Sequence, residues 1–174
     1  MPIRMLSQRA GLVDQSGRME QPWFVMFGDM VRWINRQSSS SATARKAITG
    51  TTDSTLAVSM PIDMGNTGNA VLTLAMTATN NANAKTVTVK VGDTVVQTIA
   101  IDASTSSQTA QVMICGRGKA DQYTALISGT NCTGTGMATA VDMSSGSTLS
   151  VYMQLGTTTD TIALESWALE TRQS

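Results

Sequence analysis

The sequence predicts a mainly β protein, with an N-terminal extended arm and a single α-helix followed by an antiparallel β-sandwich. Three observations predict this class. Ser and Thr make up about a quarter of the 174 residues, whereas charged residues make up 14%. Short apolar segments recur about every ten residues between Gly, Asn and Asp, as in sandwiches and barrels. The clearest amphipathic helical pattern lies ahead of residue 38.

Residues 1–37 are predicted to form an attachment arm and a helix. Pro22 suits the first helical position, where its missing N–H costs nothing. A heptad-like apolar stripe follows, formed by Trp23, Phe27, Met30 and Ile34 and widened by Phe24, Met26, Val31 and Trp33. Such a face is wider than a two-stranded coil needs. The helix could pack on its own β-domain, but packing against copies of itself or a larger assembly is the favoured interpretation.

The segment "SSSSATA" marks a change of composition after this helix. Small polar residues of this kind are typical of flexible linkers, and we predict a linker over residues 38–47. The remaining residues, 48–174, are predicted to form the β-sandwich. Cutting within the Ser-rich run is expected to leave a folded β-domain.

Strands are predicted from alternating and apolar segments at 56–60, 70–79, 85–91, 94–101, 111–116, 123–128, 137–142, 148–156 and 161–170. Alternation is strict in "KTVTVKV", and the pair Gly92–Asp93 after it predicts a two-residue hairpin. A change of phase in the last strand predicts a β-bulge near Glu165 and Ser166. A jelly roll suits the strand count, and an immunoglobulin-like sandwich is the alternative.

Composition argues against several classes of function. The chain has no histidine, and its 12 basic residues balance its 12 acidic ones. We therefore predict no catalytic site, metal site or cofactor, and we expect no nucleic-acid partner because the arginines of the N-terminal segment are scattered. No run approaches the roughly 18 apolar residues of a membrane helix, and no signal-peptide pattern opens the chain. Cys115 and Cys132 are expected to be thiols in a protein made in a cytoplasm.

The segment "GLVDQSGRMEQPWFVMFGDM", residues 11–30, resembles an N-terminal signature of tailed-bacteriophage virion proteins. The matching residues are Leu12, Val13, Asp14, Gly17, Arg18, Trp23, Phe27 and Met30. In that family the segment attaches a fibre, spike or neck component to the particle and precedes a variable β-domain that is often trimeric. The hairpin "TVTVKVGDTVVQTIAI" and the last two predicted strands also resemble phage jelly-roll modules.

The resemblance implies a non-enzymatic structural protein of a bacteriophage particle, made in the bacterial cytoplasm and located in the virion. A short homotrimeric tail or neck fibre is the first expectation. A head fibre or capsid-decoration protein is the alternative, and a soluble carbohydrate-binding module is the second alternative. Expected partners are other virion proteins and a host surface glycan. Aromatic and arginine side chains dominate interface energy. The predicted docking residues are Leu12, Val13, Arg18, Trp23, Phe27, Met30, Arg32, Trp33 and Ile34.

Overall fold

The structure is a computed structural model that describes residues 30, 37–43, 45–65, 67–102, 106–117, 122–130, 132–134, 137–139 and 147–173. For residues 37–39, 122–128, 133–134 and 137–139 it describes the backbone alone. These ranges contain twelve strands, β1–β12 in chain order. Their bounds are Gln37–Ala42, Lys46–Thr49, Thr55–Ile62, Asn69–Ala78, Lys85–Val91, Thr94–Ile101, Ser107–Gly116, Gln122–Thr130, Cys132–Gly134, Met137–Thr139, Ser147–Leu155 and Thr161–Arg172.

The strands form two antiparallel sheets in a sandwich-like arrangement. The larger sheet has seven strands in the order β1-β12-β4-β7-β8-β10, with β2 also paired to β12. The smaller sheet has five strands in the order β3-β11-β5-β6-β9. From β2 to β5 each successive strand lies in the other sheet, and β11 and β12 alternate in the same way. The predicted mainly β class is confirmed.

The core is formed by alternate residues of strands in both sheets. In β4 every second residue is buried, and Leu72, Leu74 and Met76 are 0–1% exposed. In β5 the inward residues include Val87 and Val89, both 0% exposed. Period-two burial places one face of each sheet inside, because successive side chains of a strand point to opposite faces. The described core cluster draws all its members from residues 48–169.

The β5–β6 hairpin has the predicted bounds and the predicted turn. β5 ends at Val91 and β6 begins at Thr94, which leaves Gly92 and Asp93 as the connection. Gly92 has a φ of 56°, a value that side-chain-bearing residues rarely adopt. Its N–H donates to the carbonyl of Thr148 at 2.8 Å and so ties the turn to β11. A glycine at the first central position is typical of tight hairpins.

The predicted bulge in the last strand is present. Leu164 pairs with Met76 and Ser166 pairs with Ala75, so Glu165 is the extra residue on β12. The bulge shifts the phase of the strand and brings Trp167 opposite Leu74, against the core. The change of phase in the apolar pattern of the sequence therefore corresponds to this bulge.

The predicted linker contains strands, and most of the predicted helix lies outside the described residues. Residues 38–47, predicted as a linker, include most of β1 and the start of β2, and both strands are hydrogen-bonded to β12. Small polar side chains do not prevent this, because ladder bonds use the backbone alone and β12 offers an edge of twelve residues. Except for Met30, the predicted helix lies outside the described residues, as do residues 140–142 at the end of a predicted strand.

Candidate functional site

The predicted docking residues lie outside the described part of the chain, with one exception. Met30 is described, and its side chain is 46% exposed. The roles of the predicted docking residues therefore stay predictions. Two other groups of side chains stand out among the described residues: an exposed face on the smaller sheet and a buried polar cluster between two loops.

The outer face of the smaller sheet, called here the Tyr152 face, lies around Tyr152 on β11. Leu56 of β3 and Thr88 of β5 are its direct neighbours across the ladder. Leu56 is 43% exposed. The face presents the Tyr152 ring and aliphatic side chains among hydroxyl groups.

Lys90 covers the ring of Tyr152. Its Nζ lies 4.7 Å from the ring centroid, within the range of a cation–π contact. Lys90 pairs with Ser150, which is the next pair on this face after that of Tyr152 and Thr88. The ammonium therefore approaches the ring diagonally across the two strands. Ser150 in turn shares a hydrogen bond of 3.3 Å with Ser59. This face can contact a polar partner, but its aromatic ring is already paired with a cation.

The buried polar cluster, called here the Lys85 cluster, joins the β4–β5 loop to the β11–β12 loop. Lys85 is the first residue of β5 and Asp160 precedes β12, and their side chains are each 2% exposed. Lys85 Nζ lies 3.3 Å from Asp160 Oδ2. Oδ2 accepts no hydrogen bond from any described residue, so this approach is an ion pair. Buried charges are rare in proteins unless they are paired in this way.

Asn81 lies between the two charged groups and contacts both. Lys85 Nζ donates to Asn81 Oδ1 at 2.7 Å, and Asn81 Nδ2 donates to Asp160 Oδ1 at 2.7 Å. The backbone N–H of Asn83 also donates to Asn81 Oδ1 at 3.1 Å. Two donors on one side and a carboxylate on the other define which end of the amide is oxygen.

The surrounding loops hold the Lys85 cluster in place. Lys85 Nζ donates to the carbonyl of Asn83 at 3.0 Å, and Gly156 N–H donates to the carbonyl of Ala84 at 2.7 Å. Thr49 Oγ1 donates to the carbonyl of Asp160 at 3.1 Å. One backbone bond and two bonds from side chains to backbone carbonyls therefore hold the two loops in place.

The cluster lowers the pKa of Asp160. The hydrogen bond from Asn81 is the largest cause, with further lowering by the nearby Asn83 amide and by the Lys85 ammonium. Burial opposes these effects. The carboxylate is therefore the stable form at neutral pH, because donors and a cation surround it.

A second carboxylate, Glu165, lies at the β12 bulge in a more exposed setting. Thr77 Oγ1 donates to its Oε1, and Arg45 Nε donates to the same oxygen at 3.0 Å. The hydrogen bond from Thr77 is the largest cause that lowers the pKa of Glu165, followed by that from Arg45. Because the Glu165 side chain is 34% exposed and that of Arg45 56%, solvent screens this pair.

The thiols and acidic groups show no metal-binding arrangement. Both Cys115 and Cys132 are free in this structure. Cys132 Sγ donates to the carbonyl of Thr109 at 3.3 Å, and burial raises the pKa of this thiol. In the described ranges, no three His, Cys, Asp or Glu side chains gather where they could hold a metal ion. Within the same ranges, no helix has the length and hydropathy of a membrane span.

Sequence reasoning missed the Lys85 cluster. Neither Asp160 nor Lys85 is among the site residues predicted from the sequence. One signal was available: Lys85 has the same parity as Val87 and Val89, which predicts an inward side chain. No local signal placed Asp160 beside Asn81, because 79 positions separate them along the chain.

No protein-family model and no curated protein matches the chain. Among solved structures, it is similar to the CBM2 module of the evolved Dit of Lactobacillus casei BL23 phage J-1, with 13% identity and a TM-score of 0.37 over 67% of this chain and 69% of that one. It is similar to lectin I from Ulex europaeus, with 8% identity and a TM-score of 0.38 over 79% of this chain and 98% of that one. A chain of infectious bursal disease virus, Gx strain, has 11% identity and a TM-score of 0.32 over 79% of this chain and 36% of its own. All three likenesses are distant.

Proposed function

We propose that this chain is a non-enzymatic structural protein of a bacteriophage particle, a short trimeric tail or neck fibre that docks through its N-terminal segment. One observation carries the proposal. The phage-like segment at 11–30 carries Trp23 and Phe27, and the strands that follow it form the two antiparallel sheets of a sandwich. Aromatic side chains of this kind are suited to an interface, where they contribute most.

The body of this fibre is a jelly roll. Support comes from the strand order, in which one sheet contains the run β2-β12-β4-β7 and the other the run β3-β11-β5-β6. Eight strands that alternate between two sheets in this way form the paired Greek keys of a jelly roll. The short strands β9 and β10 are additions between β8 and β11.

The fibre is a homotrimer in which the N-terminal segments cluster near the three-fold axis. The apolar stripe of Trp23, Phe27 and Met30 supports this arrangement, because a short isolated helix is marginal in water and gains stability by burying such a face. Light scattering of the full-length chain tests it. A trimer mass is expected, and a monomer at every concentration would count against self-association.

A head fibre or capsid-decoration protein is the alternative position, since both need only an anchor and a β-sandwich body. Location in the virion, after synthesis in the bacterial cytoplasm, is common to both positions. A cryo-EM map of the particle distinguishes them by the site at which density for the sandwich appears. Absence of the chain from purified particles by mass spectrometry would reject both.

A soluble carbohydrate-binding module is a second candidate, and the Tyr152 face is the observation that favours it. An aromatic ring among hydroxyl side chains can stack on a sugar, although Lys90 now lies over this ring. Screening the full-length chain against immobilised glycans tests this function. Binding that Tyr152→Ala abolishes and Thr98→Ala leaves unchanged would support it. No binding to any glycan would reject it.

The docking role is tested by removing the segment that carries it. Deletion of residues 1–36 leaves every described strand intact, since β1 begins at Gln37. We expect the shortened chain to keep its β-sheet circular dichroism and to be absent from particles. The double variant Trp23→Ala/Phe27→Ala should behave in the same way, with Lys90→Ala as the matched control. If the shortened chain were incorporated at the wild-type level, the docking surface would lie on the sandwich and not in residues 1–36.

A further inference from the structure

We propose that Lys85 and Asn81 are joined by an intramolecular isopeptide bond, formed by the folded chain with Asp160 as the proton carrier. The bond would link Lys85 Nζ to Asn81 Cγ and release the side-chain nitrogen of Asn81. The proposal concerns covalent self-modification of the sandwich. It does not rest on the proposed function, and a virion protein and a sugar-binding module could both carry it.

The nucleophile is held against its target. Lys85 Nζ lies 2.7 Å from Asn81 Oδ1, and the Lys85 side chain is 2% exposed. Nζ is therefore in contact with the carbonyl group whose carbon it would attack. Holding two groups at contact distance in one molecule replaces a slow encounter by an effectively unimolecular step.

The electrophile is polarised by donors already in place. Asn81 Oδ1 accepts from the backbone N–H of Asn83 at 3.1 Å as well as from Lys85. When Nζ attacks, negative charge develops on this oxygen, and the Asn83 N–H is positioned to stabilise it. Fixed backbone donors of this kind stabilise tetrahedral intermediates because they need no reorganisation during the reaction.

Asp160 faces both nitrogens between which protons must move. Its Oδ2 lies 3.3 Å from Lys85 Nζ, and its Oδ1 accepts from Asn81 Nδ2 at 2.7 Å. A carboxylate in this position can take a proton from the nucleophile and return it to the leaving group. The absence of a described hydrogen bond at Oδ2 leaves that oxygen able to accept the proton.

The reaction balances without an oxidant or a co-reactant. The Nζ–Cγ bond forms and the Cγ–Nδ2 bond breaks. Two protons pass from Nζ to Nδ2 through Asp160, which ends as the carboxylate it was at the start. The lysine ammonium and the asparagine amide become a secondary amide and a released ammonium ion. Asn81 is only half-buried, so the ion has a route to solvent.

The bond would hold the β4–β5 loop in the conformation that contacts Asp160. Asn81 and Lys85 are four positions apart, so the closed ring is small. A short ring removes little entropy from the unfolded chain, and the main effect is local. The expected consequence is a loop that stays closed against β12 when neighbouring strands open.

Intact-mass spectrometry of the denatured full-length chain tests the proposal. We expect the wild-type chain to be lighter than its sequence by the mass of one ammonia. Lys85→Arg, which keeps the charge but is not a comparable nucleophile, should have its full sequence mass. Lys90→Arg, on the same strand, should still show the loss. A wild-type chain with its full sequence mass would overturn the proposal whether or not any variant folds.

Trypsin distinguishes this bond from a succinimide at Asn81, which also loses ammonia. An acylated lysine is not cleaved, so the denatured wild-type chain should resist cleavage after Lys85 and be cleaved after Lys90. The loss should also survive mild alkali, which hydrolyses a succinimide. If trypsin cleaves after Lys85, or if the mass deficit disappears in alkali, the lost ammonia came from a succinimide at Asn81 and not from the isopeptide bond. Asp160→Asn is expected to slow bond formation where the variant folds, and an unchanged rate would remove Asp160 from the mechanism.

Discussion

Lys85 and Lys90 lie on the same strand, five positions apart, yet their surroundings are opposite. Lys85 shares the inward parity of Val87 and Val89, and it forms an ion pair with Asp160 at 2% side-chain exposure. Lys90 has the outward parity and lies over the ring of Tyr152. Because the side chains of a strand alternate, an odd shift along the chain exchanges core for surface. The difference shows that a charged inward position is tolerated where the strand begins and loops supply partners.

The largest effect is expected when a lysine is placed at an inward position that has no polar partners. Val87→Lys puts an amine among the core side chains, where Val87 is 0% exposed. A buried lysine loses about 3 to 5 pKa units, which corresponds to roughly 4 to 7 kcal/mol. This approaches the whole stability of a typical domain. We expect an insoluble or unfolded chain by circular dichroism.

The matched control is Thr88→Lys, one position away on the outward face. Surface substitutions of this kind usually change stability by less than about 0.5 kcal/mol. A folded Val87→Lys chain with a wild-type Tm would contradict the assigned parity of β5. An unfolded Thr88→Lys chain would contradict it equally.

The second largest effect is expected from replacing Lys85 itself. Lys85→Ala leaves the Asp160 carboxylate and the Asn81 amide buried without their cation. Removing one member of a buried pair is strongly destabilising because the other charge remains. We expect the Tm to fall well below that of Lys90→Ala, as measured by calorimetry. The double variant Lys85→Met/Asp160→Leu should recover part of the loss, since no unpaired charge is then buried. If Lys85→Ala and Lys90→Ala melt together, the cluster contributes nothing to stability.

Acid should expose the contribution of Glu165 at the bulge. Hydrogen bonds from Thr77 and Arg45 lower the pKa of this carboxyl, so the unfolded chain binds more protons than the folded one in acid. Stability from these contacts is therefore present above the ordinary glutamate pKa and is lost as pH falls through the lower folded pKa. Urea titrations of wild type and Glu165→Gln from neutral to acid pH should converge there. Parallel curves at all pH values would contradict the assignment.

The smallest effect is expected at the Tyr152 face. Lys90→Ala removes one exposed cation–π contact, which is typically about 0.5 to 1 kcal/mol. Tyr152→Leu should cost a similar amount and make a subsequent Lys90→Ala nearly neutral, because the two side chains stabilise each other. A double-mutant cycle in urea measures this coupling. Additive effects of the two substitutions would show that the ring and the ammonium do not interact in solution.

Much of the sandwich could be predicted because its signals are local. The bounds of β5 and β6, the Gly92 turn and the bulge at Glu165 all follow from alternation or from a break in it. The N-terminal docking residues stay predictions, since they lie outside the described residues. β1 and β2 were not predicted because their short polar sequences carry no pattern, and their backbones pair with β12.

The sequence by itself determined the class of the fold and, in alternating strands such as β4 and β5, the side that faces inward. Those properties depend on the period of apolar residues, which is written along the chain. The tertiary structure alone decided that Asp160 meets Asn81 and Lys85, because the contact joins loops 79 positions apart. It also decided the surroundings of each lysine. The position along the strand decides which face of the sheet a side chain is on, whereas long-range strand pairing decides which residues surround it there. A buried polar cluster requires partners in three dimensions, and no local pattern specifies where those partners come from.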